Sequence, residues 1–169
     1  MSASAPVPAA PGTYALLLDL PRPARIGIGR LGCFRFERGC YVYVGSALGP
    51  GGLRARLRHH ARHPDERGAS PHWHVDYLRR EARLLRVWFT EDGRRHEHEW
   101  ARAAGSLGGA ASPVHGFGAS DCACVSHLFA FAAPPALAGF RRRLRVRGRP
   151  PVHAVGTESS PASAMLRSG

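Results

Sequence analysis

Residues 39–60 read GCYVYVGSALGPGGLRARLRHH, and the change of pattern inside this stretch decides the fold class. Tyr41 to Val44 is a short aromatic and β-branched run ending at Gly45, the signature of a strand. Gly49-Pro50-Gly51-Gly52 interrupts it. Leu53, Leu57 and Ala61 then recur at four-residue spacing with arginines and histidines between them, which predicts a helix entered through a glycine-rich turn. Its basic face carries Arg54, Arg56, Arg58, His59 and His60. A strand that gives way to an amphipathic helix within one turn implies a mixed α/β (α+β) architecture.

Working outward, Tyr14 to Leu20 is a dense apolar run stopped by Pro21 and reads as a strand. Arg25–Ile28 and Cys33–Phe36 are short alternating pieces separated by glycines, which suits small antiparallel strands inserted between the two longer ones. Downstream, a helix is expected from Pro71-His72 through Val75, Leu78 and Ala82, then a buried strand at Leu84–Phe89. Another helix starts at His98 or Glu99 and runs to Ala104. Ser126–Ala132 gives a last strand, and Pro135–Leu144 a final helix ending in Arg141, Arg142 and Arg143. The expected fold is a small central, mainly antiparallel sheet flanked by helices, with an inserted β segment and no internal repeat. One domain should occupy residues 12–146. Residues 1–11, rich in Ala, Pro and Ser, read as a disordered arm, and residues 147–169, without apolar periodicity, as a disordered tail.

At 169 residues and 44% hydrophobic content the chain can build one real core. The 24 basic residues are all arginine and face 12 acidic ones, for a net charge of +12. Genomic base composition can explain arginine in place of lysine, but not the excess of positive charge. Arginine forks onto phosphate in bidentate fashion and releases counterions there, so a nucleic-acid partner is expected. No apolar run approaches the ~20 residues of a membrane span, and the first eleven residues lack the features of a secretory signal. A cytoplasmic location without a membrane partner is expected, with Cys33, Cys40, Cys122 and Cys124 as reduced thiols. His72-Trp73-His74 with Asp76, and Asp121-Cys122-Ala123-Cys124 with His127, invite a zinc reading. Cys-x-Cys is poor support for it, because structural sites commonly space their cysteines by two to four residues.

Gly12-Thr13-Tyr14, then Tyr43-Val44-Gly45-Ser46, then Arg56 and His60 one helical turn apart, then an acidic residue at a later helix start, form an ordered set. It resembles the GIY-YIG nuclease superfamily. With residues 39–60, the strings HWHVDYL (72–78) and GFGASDCACVSHLF (116–129) are similar to the small stand-alone branch known as DUF123 or Uri-type endonucleases, over most of residues 12–132. Two departures are the long separation of Tyr14 from Tyr43 and the serine at position 46, where some relatives carry a lysine.

The resemblance implies a metal-dependent endonuclease that hydrolyses DNA phosphodiester bonds, with a repair or processing role. Tyr14 or Tyr43 would accept the proton of the attacking water, and a free phenol pKa of about 10 means that a nearby cation must help. Arg56 would stabilise the phosphate, and His60 would assist through hydrogen bonding or proton transfer. Glu99 would hold Mg²⁺ or Mn²⁺, with Glu97 as the rival ligand. Ser46, Arg54, Arg58 and His59 would contact the nucleic acid, and no small-molecule cofactor is implied. HWHVDYL and GFGASDC would line the floor beside the site, with Trp73 or His74 packing and Asp121 or His127 meeting polar partners. Two other classes stay open: a nucleic-acid-binding accessory protein that cuts poorly, and a zinc-stabilised basic domain.

Overall fold

The computed structural model describes residues 6–68, 70–144 and 150–156. Five strands form one antiparallel sheet: β1 (Gly12–Leu20), β4 (Gly39–Ala47), β5 (Arg83–Glu91), β6 (Leu128–Phe131) and β7 (His153–Gly156), in the order β6-β4-β1-β5-β7. The inserted segment forms a separate two-stranded ribbon of β2 (Ala24–Gly27) and β3 (Cys33–Phe36). Among the described residues four α-helices complete the fold: α1 (Gly52–Ala61), α2 (His74–Arg79), α3 (Glu97–Gly105) and α4 (Leu137–Arg143). The α+β reading with a central antiparallel sheet is therefore correct.

β1 is nearly all apolar because it lies at the middle of the sheet and is covered on both faces. Tyr14, Leu16, Leu18 and Leu20 point into a core shared with Leu53 and Leu57 of α1, Val75 and Leu78 of α2, and Phe36 of the ribbon. Ala15 and Leu17 point the other way, against Trp88 and against Trp100, Ala104 and Phe140 of α3 and α4. Each face of the sheet thus has its own core, and the four-residue spacing in α1 is the stripe that seals one of them.

Two stretches read as unstructured are built into the fold. The segment before β1 caps α1: the Ala10 and Pro8 carbonyls accept the Leu53 and Arg54 N–H groups, each at 2.9 Å. That helix has no side-chain cap, so these carbonyls take its otherwise orphaned first donors. Beyond residue 147, His153–Gly156 pairs with Arg86–Phe89 as an edge strand. Four residues are too short to show a two-residue period above the noise of a Pro-rich context, and the pairing comes from an available sheet edge. The last helix begins at Leu137, after the two prolines, and β6 is not the last strand. Residues 147–149 and 157–169 of the expected tail lie outside the described residues.

Candidate functional site

Tyr14 and Gly45 are directly paired across β1 and β4. A Cβ on Gly45 would stand 2.6 Å from the Tyr14 hydroxyl oxygen, so the glycine is what lets the phenol lie across β4. Tyr43, two residues earlier on the same face, packs its ring 6.5 Å from that of Tyr14. Gly118, in the left-handed region at φ +68°, gives Tyr43 similar room, since a Cβ there would lie 2.9 Å from its ring. The Tyr14 hydroxyl is hydrogen-bonded to His60 Nε2 at 2.9 Å, joining the first tyrosine motif to the end of α1.

These phenols border a cavity of about 370 Å³ at the end of β4, where β6 no longer pairs. The 116–127 segment covers that open edge, and the Val44 N–H donates to the His127 carbonyl at 2.9 Å. Arg56 reaches the cavity from α1 with its guanidinium carbon 4.2 Å from the centroid of the Trp73 ring, a cation–π seat that fixes a flexible cation. Glu97 enters from the first turn of α3. Its carboxylate accepts the Ser46 hydroxyl at 2.6 Å and faces Arg95 at 3.3 Å. His74, Asp121 and His127 complete the floor, where His74 Nδ1 accepts the Gly118 N–H at 3.0 Å.

Glu99, the expected metal ligand, does not line this cavity; its carboxylate meets His96 Nδ1 at 3.3 Å. Glu97 stands in its place because residues two apart on a helix lie about 200° apart around the axis. Of the expected nucleic-acid contacts, Ser46 lines the cavity and Arg54, Arg58 and His59 do not. Arg54 is exposed and donates to the Val7 carbonyl, while His59 packs edge-on to Trp73 and faces Asp76 at 3.4 Å. His60 lies behind Tyr14, fully buried.

Burial holds both phenols above their ordinary range, Tyr43 by a wide margin, and the Arg56 guanidinium only partly offsets this. Neither tyrosine is a standing phenolate near neutral pH. Burial also lowers the affinity of His74 and His127 for a proton, and it pushes the Cys124 thiol up to about 11 with help from Cys122.

A family model described as "Domain of unknown function DUF123" matches residues 13–145. The chain belongs to the DUF123 family. Among curated proteins and solved structures nothing matches. In this DUF123 domain the supporting roles of two residues escaped the sequence reading, which had considered Asp76 only as a zinc ligand. Asp76 caps α2 by accepting the His72 and Trp73 N–H groups, each at 3.0 Å, which holds Trp73 under Arg56. Arg79 is buried and donates to the His60 and Ala82 carbonyls, anchoring the end of α1. Asp76 was legible as an acid three residues into a helix after Trp73. Arg79 carried no signal apart from its neighbours' charge.

Proposed function

We propose that this DUF123 protein is a GIY-YIG-type endonuclease that hydrolyses nucleic-acid phosphodiester bonds in the cavity between β4 and α1. The observation that carries the reading is the convergence of Tyr14, Tyr43, Arg56 and Glu97, from four elements, on one cavity. Arg56, held over the Trp73 ring by the cation–π contact, would grip a non-bridging phosphate oxygen as charge develops. Tyr14 is the better candidate for the proton acceptor, because its hydroxyl already has a partner able to take its own proton. As the attacking water passes a proton to the Tyr14 oxygen, the phenolic proton moves to His60 Nε2. This requires the neutral imidazole carrying its hydrogen on Nδ1. The relay avoids a free phenolate, which burial disfavours.

The donors facing the cavity include hard oxygens, the carboxylates of Glu97 and Asp121 and the Ser46 hydroxyl, and they suit Mg²⁺ or Mn²⁺. Glu97 is the residue that would hold the ion, with Asp121, which faces the same Arg95 guanidinium, as the second carboxylate lining the cavity. When bound, such an ion supplies Lewis-acid polarisation of the phosphate and charge relief at the leaving oxygen. The net charge of +12 supports a polyanionic substrate.

Nicking of plasmid and oligonucleotide DNA, with Mg²⁺ and with EDTA, tests the reading. Cleavage should require the metal and should fall by about 10²–10⁴ in each of Tyr14→Phe, Arg56→Ala and Glu97→Gln, the usual range for a lost proton-transfer or oxyanion-stabilising group. Glu99→Gln should keep most of the activity. DNA binding without cleavage under every condition would sink the enzyme reading and leave a nucleic-acid-binding accessory protein. A panel of single-stranded, duplex, branched and damaged substrates would then establish the preferred structure and any part in repair.

A further inference from the structure

We propose that His98, Cys122, Cys124 and His127 form a tetrahedral site for a divalent transition ion of the zinc type, which clamps the 116–127 segment to the first turn of α3. The ligand atoms of the four side chains all lie within 4.8 Å of one another. His98 Nδ1 is 3.2 Å from Cys124 Sγ, and His127 Nε2 is 3.5 Å from Cys122 Sγ. A tetrahedral zinc ion with bonds of about 2.0–2.1 Å to nitrogen and about 2.3 Å to sulfur has ligand–ligand edges of about 3.3–3.8 Å. The four atoms therefore need to move only slightly to become a coordination shell. Two thiols and two imidazoles are also the donor set that selects zinc-type ions over the hard cations favoured by the oxygen-lined cavity.

Cys-x-Cys spacing was poor support for this site, because structural sites commonly space their cysteines by two to four residues. The fourth ligand comes from a different element, and only the docking of α3 beside the 116–127 segment reveals it. Binding releases the two thiol protons to solvent and leaves both sulfurs as thiolates on the metal. His98, Cys122 and Cys124 also line a second open cavity of about 660 Å³, which gives an ion an entry path. The segment that would be clamped supplies Gly118, Asp121 and His127 to the candidate active site, and α3 supplies Glu97. A metal here would hold one wall of that site together without taking part in its chemistry. The proposal stands whether or not the protein cuts DNA.

The test uses the full chain, purified without chelator for elemental analysis and then stripped and titrated with Co²⁺. The expected result is about one zinc-type ion per chain. Co²⁺ should give the intense visible bands of a tetrahedral centre and a thiolate charge-transfer band in the near ultraviolet. Cys122→Ser and Cys124→Ser should remove the charge-transfer band or weaken it, with affinity lower by at least about 100-fold. His98 sits on a helix with its side chain 36% exposed, so His98→Gln should fold even where the cysteine variants do not. It should lose the tetrahedral spectrum. A folded wild-type protein with neither bound metal nor the Co²⁺ bands overturns the proposal. So does a His98→Gln spectrum equal to the wild type, or a Cys122–Cys124 disulfide in the protein as purified.

Discussion

An alanine Cβ at position 45 would enter the space of the Tyr14 hydroxyl at 2.6 Å and of the ring carbon beneath it at 2.7 Å. Gly45→Ala should therefore cost about 1–3 kcal/mol, the usual range for overpacking a close contact, and should displace the phenol from His60. Combining it with Tyr14→Leu removes the hydroxyl oxygen and the ring carbons that clash, so the double variant should lose less than the sum of the two single losses. A double-mutant cycle in urea measures the coupling, and strict additivity would show that the phenol does not lie where the structure has it. Tyr14, Tyr43 and Arg56 were legible because motif order and helical spacing are properties of the chain itself. The choice of Glu97 over Glu99 was not. Both acids sit in the first turn of one helix, and only the rotation of α3 against the sheet decides which carboxylate faces the cavity.

At the scale of elements, α1 depends on a segment that composition marked as disordered. Removing residues 1–11 takes away the acceptors of the Leu53 and Arg54 N–H groups and the packing of Val7 on the core. The Arg54 side chain also loses the Val7 carbonyl and the Asp92 N–H the Pro11 carbonyl, so with each net hydrogen bond contributing about 0.5–1.5 kcal/mol the truncated chain should lose about 2–6 kcal/mol. The check is a lower urea midpoint with little change in slope. An unchanged midpoint would mean that water caps the helix equally well. Strands β1, β4 and β5 were readable because each has a long apolar or β-branched run. β7 was not, since four residues gain their conformation from the exposed edge of β5.

For the molecule as a whole, alkaline pH should be the destabilising direction. Burial raises the proton affinity of Tyr14, Tyr41 and Tyr43, the second of these to about 12. In the unfolded chain these phenols lose their protons near pH 10. Above that value the unfolded state binds fewer protons than the folded one, so unfolding becomes easier as pH rises. The stabilisation is complete below about pH 10 and is lost progressively above it. Thermal melts between pH 8 and 11 should show the melting temperature level at first and then falling. A Tyr43→Phe variant should soften the fall, because its phenol is one of the groups whose raised proton affinity drives it. A flat profile would show that the phenols ionise as easily folded as unfolded.

The sequence by itself determined the alternation of strand and helix, the strand at Tyr14–Leu20, and the pairing of Arg56 with His60 on one helical face. Apolar period, glycine punctuation and turn spacing are written locally along the chain. Tertiary structure alone decided that Glu97 faces the cavity, that the N-terminal arm caps α1, and that His98 meets Cys122, Cys124 and His127. Each of these depends on how one element is rotated and docked against another, and no period within a single segment encodes that relation.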